Sequence, residues 1–150
     1  MPETKILQEM MKKEFRKGSY VISTDKRRLS FIVVQGFLAS SYWAEGRSPE
    51  VTRASVRNSV CFGLYHGKKQ IGFARVITDK ATFAYLADVF IIDEYRGRGL
   101  SKWMMKVISE HEMFRSVKSW LLATRDAHGL YRKFGFKALS DPGKYMQRKS

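Results

Sequence analysis

Cysteine is almost absent from this chain. Cys61 stands alone among 150 residues, which rules out an internal disulfide and a cysteine-built metal cluster. No metal is expected, and a lone thiol suits a reducing compartment. Prolines number three, and neither a repeat nor a low-complexity linker divides the chain. The expectation is one domain over residues 1–150, a length that suits a single core. Long apolar runs are also missing: none approaches the ~20 residues needed to span a bilayer. The opening MPETKILQEMMKKEFRKGSY is charged throughout and lacks a signal-peptide core. These absences predict a soluble, cytoplasmic protein with no membrane partner. Acidic residues are scarce as well, 14 against 28 Lys and Arg, giving a net charge of +14. A surface this basic attracts polyanions: nucleic acid, phosphorylated cofactors or acidic proteins.

The apolar residues that are present, 44% of the chain, suffice for a packed core. Their spacing predicts a helix over 3–17, ended by Gly18, and a short strand over 20–24. Leu29 to Ser41 has helical periodicity. Ser48 and Pro49 read as the cap and first position of a second helix over 49–59. VCFGLY (60–65) and QIGFARVI (70–77) are strands joined by a turn with Gly67 where a hairpin needs positive φ. TFAYLADVFII (82–92) is a third strand. A helix over 99–114 follows, with Leu100, Trp103, Met104, Val107 and Ile108 as its buried stripe. KSWLLAT (118–124) is a strand and AHGLYRKF (127–134) a short helix. GFKAL (135–139) begins a late strand, and KYMQRK (144–149) is a possible final edge strand. Tight turns make the first three long strands antiparallel; the helical crossover makes the third and fourth parallel and right-handed. The fold class is mixed α/β, a mostly antiparallel central sheet with helices on both faces.

The most informative stretch is DVFIIDEYRGRGLSKWMMK, residues 88–106. Two arginines and two glycines alternate where a strand gives way to a helix. Ligands bind at such strand ends in open sheets. The first amides of a helix are unpaired, and its dipole favours an anion there. Gly97 and Gly99 can adopt angles closed to other residues, and Arg96 and Arg98 add charge. Two cations at a helix N-terminus are unfavourable unless an anion joins them. The pattern therefore points to a phosphate, and in particular a pyrophosphate. Neither GxxxxGK[ST] nor GxGxxG is present, which argues against a P-loop NTPase and a dinucleotide-binding Rossmann unit.

The stretch IIDEYRGRGLSKWMM closely resembles the acyl-CoA-binding motif of the GNAT N-acetyltransferase superfamily, Arg/Gln-x-x-Gly-x-Gly/Ala at a strand-to-helix turn. Here it reads Arg96-Gly97-Arg98-Gly99-Leu100-Ser101, with Ser101 in place of the preferred Gly or Ala. DAHGLYRKFGFK resembles the family's late helix and following strand, with Thr124 where the family usually has Asn. The resemblance covers roughly residues 20–140. It implies an acyltransferase that moves an acetyl group from acetyl-CoA to a primary amine by direct attack in a ternary complex. It implies that main-chain groups of Val89, Phe90 and Ile91 pair with the pantetheine arm, that Arg96 to Ser101 hold the pyrophosphate, and that Thr124 lies beside the cofactor. The amide near Ile91 would polarise the carbonyl, and Tyr131 would protonate the leaving thiolate.

The residues themselves leave the base open. Asp88 is an acid inside an apolar strand, costly unless paired or used; it is read equally as a catalytic base and as the partner of an arginine. Glu45, Asp126 and a water relay are weaker candidates. SSYWAEGR, residues 40–47, lies where the family builds its acceptor pocket, so Tyr42 and Trp43 are candidates for an aromatic wall and Arg47 for holding an acceptor carboxylate, with Trp43 read equally as an anchor of the loop. His66 is read as a solvated turn residue, His111 as a charge at a helix end, His128 as a minor candidate, and Cys61 as packing. The acceptor is a small-molecule or peptide amine, and a homodimer is possible. The alternative is a basic nucleic-acid-binding module on a degenerate acyltransferase fold, motivated by the charge and the scattered aromatics.

Overall fold

The computed structural model describes residues 13–150. Its elements run β1 (Glu14–Lys17), β2 (Tyr20–Ser23), α1 (Phe31–Ser40), α2 (Pro49–Arg57), β3 (Val60–His66), β4 (Lys69–Thr78), β5 (Phe83–Ile91), α3 (Leu100–Glu110), β6 (Ser119–Leu122) and α4 (His128–Arg132). The six strands form one sheet in chain order. Every neighbouring pair is antiparallel except β5 and β6, which are parallel across α3.

Local chemistry explains most boundaries. Ser30 and Ser48 cap α1 and α2 by accepting from the Val33 and Val51 amides, and Pro49 opens α2. Gly67 has φ 61° in the tight β3–β4 turn. One core, with Phe62, Leu64, Val76 and Leu86, packs under α3 and α4. The second, on the opposite face, joins Val34 and Leu38 of α1 to Phe73 and Phe90. Phe37 stacks on Phe90 with centroids 4.1 Å apart, which fixes α1 over the end of β5.

Three expectations change. Glu14–Lys17 is a strand, not the end of a helix over 3–17; the rest of that helix, to residue 12, lies outside the described residues. A four-rung ladder with β2 overrides the local helical pattern there. Residues 135–139 and 144–149 form no strand; among the described residues no strand pairs with them. Among the described residues no helix is long and apolar enough to cross a membrane, and no group of His, Cys, Asp or Glu is arranged to hold a metal.

Candidate active site

β6 pairs with β5 only from Phe83 to Leu86. Beyond Leu86 the strands part, and the rest of β5 loses its neighbour on that side. A cleft of about 1170 Å³ opens there. It runs between residues 87–91 on one wall and 122–127 on the other, and continues to the turn before α3.

The register decides what β5 offers. The Ile92 amide donates to Ile71 O on β4 at 2.9 Å. Main-chain groups alternate sides along an antiparallel strand, so the Ile91 amide points away from β4 and into the cleft. Val89 and Phe90 line the same wall.

A bulge sets the middle of that wall. Phe73 faces Phe90 and Arg75 faces Ala87, so Asp88 and Val89 together oppose Ala74. Asp88 takes φ 54°. That left-handed kink reverses the alternation: Ala84 and Leu86 face the core beneath α3, whereas Phe90 faces the opposite core. It also swings the Asp88 side chain to the α1–α2 side. There Oδ1 accepts from Trp43 Nε1 at 3.0 Å, and Oδ2 accepts from Arg47 Nη1 and Arg75 Nε, each at 2.8 Å. Arg75 also donates to Ser59 Oγ at 3.1 Å. The Asp88 side chain is 2% exposed. Burial pushes its carboxyl up, but the hydrogen bond from Arg47 and the charge and hydrogen bond of Arg75 outweigh this and hold it below the usual carboxylate value. Of the two sequence readings of Asp88, the side chain adopts the ion pair. Arg47 is likewise committed to Asp88 rather than extended toward an acceptor carboxylate.

At the other end, Gly97 and Gly99 have φ 77° and 75°. A Cβ at either would meet nothing within 4 Å, so the angle, not crowding, calls for glycine, and open space lies over the loop. Gly99 caps α3 and has no side chain to satisfy the first amides of that helix. Those donors border the cleft at Leu100 and Ser101. Arg96 also lines it, held by Nε to Ile91 O at 3.1 Å and by an ion pair with Asp93 at 2.9 Å. The Arg98 side chain turns elsewhere. It donates to Tyr20 Oη and Glu94 O and lies over the Tyr95 ring, outside the cleft lining, so only its main chain belongs to the loop.

Tyr131 enters the cleft from α4 and is 8% exposed. Burial, then the neighbouring Tyr42 and Asp126, push its phenol up to about 12. Thr124 Oγ1 accepts from the Ala127 amide at 3.0 Å and so fixes the approach to α4 while lining the cleft. Tyr42 and Trp43 form an edge-to-face pair on the opposite wall. Tyr42 Oη accepts from the Arg125 amide at 3.1 Å, with the Arg125 guanidinium 3.8 Å above its ring. Asp126 lines the cleft too, whereas Glu45 does not.

The remaining sequence candidates lie elsewhere. His66 is no solvated turn residue: its Nδ1 is 2.9 Å from Tyr95 Oη and its ring packs on Tyr20. His111 is buried, and its Nδ1 accepts from the Met113 amide at 3.1 Å, which makes it a cap. His128 lines a different groove. Cys61 is buried in the core beneath α1, where desolvation pushes its thiol up to about 11. Sequence reasoning missed Arg75 and Arg125. Arg75 was detectable as the lone charge inside apolar QIGFARVI, an antiparallel neighbour of the strand that carries Asp88.

A domain model described as an acetyltransferase (GNAT) domain matches residues 57–138, more than half of the chain. This chain belongs to the GNAT acetyltransferases. A Gibberella zeae protein classed as an acetyltransferase is 29% identical over 148 residues, with 81% of each sequence covered. A crystal structure from Xanthomonas campestris pv. campestris, assigned to the same family, shares 38% identity and a TM-score of 0.85, over 87% of this chain and 93% of its own. A Clostridium acetobutylicum acetyltransferase solved with acetyl-CoA has the same fold, at 15% identity and TM-score 0.64, over 87% and 94%. This GNAT chain is therefore an acyltransferase with a mixed, mostly antiparallel sheet. The relatives lend no support to a nucleic-acid-binding module.

Proposed function

We propose that this protein transfers an acetyl group from acetyl-CoA to a primary amine by direct attack in a ternary complex. One observation carries the reading: a single cleft joins an unpaired β5 edge, a glycine-capped helix N-terminus and a buried phenol. The open space over Gly97 and Gly99 and the unpaired α3 amides fit a pyrophosphate. The free β5 edge fits the amides of a pantetheine arm. The acetyl-CoA in the Clostridium relative supports the same assignment.

When bound, the thioester would supply an activated acetyl group: a C–N bond forms to the amine as the C–S bond breaks, and the proton shed by the amine nitrogen passes to solvent water, which restores the proton that Tyr131 gives up. The Ile91 amide holds and polarises the carbonyl. Tyr131 donates its phenolic proton to the departing sulfur. A phenol near 12 stays protonated at neutral pH, the state in which an acid must wait. Tyr42 and Trp43 wall the acceptor side. Asp88 acts as a positioning residue, tying Trp43 and Arg47 of the α1–α2 loop to Arg75 of the sheet. With three donors on its carboxylate and a lowered pKa, it is poorly placed to take a proton.

A thermal-shift titration tests the cofactor half. Acetyl-CoA and CoA should raise Tm well beyond an equal concentration of ATP. Ligand at about 100 times its Kd adds ~2.7 kcal/mol, or ~5–11 °C for a domain of this size. Equal shifts from all three would make the loop a general anion trap and end the proposal. Thiol release across a panel of amines then tests transfer.

A further inference from the structure

We infer that Arg125 selects the acceptor: the amine taken by this cleft carries a carboxylate, and the Arg125 guanidinium holds it. The inference rests on the acetyl-transfer reading and names the acceptor class for the same site. Tyr42 and Arg125 come from the two walls and meet across the acceptor end of the cleft. The Arg125 amide donates to Tyr42 Oη at 3.1 Å, and the guanidinium lies over the Tyr42 ring, 3.8 Å from its centre. A guanidinium stacked in this way spends its flat face on the ring, and its N–H donors remain around the edge. Among the described residues those side-chain donors meet no hydrogen-bond acceptor and no carboxylate, that of neighbouring Asp126 included. Arg125 is exposed and lines the cleft. Its fork matches the two oxygens of a carboxylate. Stacking on Tyr42 has already restrained the side chain, so less freedom is lost when the fork closes on an acid.

The charge balance points the same way. At the cofactor end Arg96 is paired with Asp93. On the acceptor side the lining holds Arg47, Arg75 and Arg125 against Asp88 and Asp126, so cations exceed carboxylates. Asp88 accepts from both Arg47 and Arg75 and neutralises only one of them. Their side chains are largely buried, so little water screens the charge left over. A monoanionic acceptor balances that charge, whereas a polyamine adds to it. Tyr42 and Asp126 lie near enough to Tyr131 to push its phenol up. The Tyr42–Arg125 pair therefore stands beside the group assigned to the leaving sulfur, which suits an amine and a carboxylate on one small molecule.

Thiol release tests the inference, with α-, β- and γ-amino acids each compared with its own carboxamide at equal concentrations of neutral amine. The best acid should exceed its amide by ~10–100-fold in kcat/KM, mainly through KM. Arg125→Gln should bring that ratio close to one, and Arg125→Lys, which keeps the charge but loses the fork, should recover part of it. A residue that only steadied Tyr42 would lower acid and amide alike. The acetyl-CoA shift in Tm, measured on each variant, checks that it is folded and loaded. Calorimetry of the same acids and amides on CoA-saturated protein repeats the comparison without turnover. Amides or diamines that match the acids overturn the inference and leave acetyl transfer standing. So does an acid preference that survives Arg125→Gln. If 2-aminoethyl phosphate outperforms every acid, the carboxylate assignment fails. If acetyl-CoA binds but no amine releases thiol, the acetyl-transfer reading fails, and calorimetry alone decides on Arg125. Tighter binding of acids that is lost in Arg125→Gln then supports the inference, and equal binding of acids and amides overturns it.

Discussion

Replacing Asp88 with Asn isolates the charge on which Trp43, Arg47 and Arg75 converge. Asn tolerates φ 54° as well as Asp does, and its size is the same. What changes is that Arg47 and Arg75, with side chains 20% and 10% exposed, lose the carboxylate between them. The Asn amide cannot accept all three of the existing hydrogen bonds and turns an N–H toward one of the donors. Removing one partner of a buried pair costs about 3–5 kcal/mol. A domain of this size loses ~2–4 °C in Tm per kcal/mol, so thermal unfolding should fall by ~6–20 °C. The pH dependence follows from the lowered native pKa. Asp88 contributes its full stability above the ordinary value of 3.8 and loses it as pH falls through the native value. The gap between wild type and Asp88→Asn should therefore be full at neutral pH, shrink below 3.8 and vanish in stronger acid. Kinetics separate positioning from proton transfer. A positioning residue raises the KM of the amine and leaves the rising, acid-side limb of the pH–rate profile in place; loss of a general base removes that limb. A Tm within ~2 °C of wild type, or loss of the pH–rate limb at unchanged KM, would refute the reasoning.

Other substitutions test the rest of the cleft. Tyr131→Phe should lower kcat by ~10²–10⁴ while acetyl-CoA affinity stays near wild type, as measured by thiol release and calorimetry. Gly99→Val places a β-branched residue at φ 75°, straining the loop by ~1–3 kcal/mol; acetyl-CoA binding should weaken about 10-fold or more. Arg96→Ala should weaken cofactor binding more than Arg98→Ala, because only the Arg96 side chain borders the cleft; equal losses would return Arg98 to the proposed phosphate site. Cys61, buried and pushed up to about 11, should resist alkylation at neutral pH in the folded protein and react once urea unfolds it.

The helix, hairpin and crossover signals were local and legible. Ser48-Pro49, Gly67 and the Leu100 to Ile108 stripe each announce their element within a few residues. So does the RGRG loop, whose glycines take the positive φ that their identity suggests. The two ends of the chain misled. Residues 14–17 read as helix because propensity is local, while their pairing partner, β2, is a tertiary fact. Residues 144–149 read as strand by pattern, but a strand needs an edge to join, and among the described residues no strand pairs with them. At the site, Arg98 and Arg96 are alike in sequence, and only the path of the loop separates the one on Tyr20 and Tyr95 from the one beside Ile91.

By itself the sequence determined the family, the order of the central elements and the glycine-and-arginine loop before α3, because each rests on short-range patterns of glycine, charge and apolar period. Tertiary structure decided what Asp88 does. An acid in an apolar strand is ambiguous until the register is known. The bulge opposite Ala74 turns it across the sheet, where Trp43, Arg47 and Arg75 converge from residues 13 to 45 positions away. Sequence spacing does not encode that convergence; the pleat and one left-handed residue do.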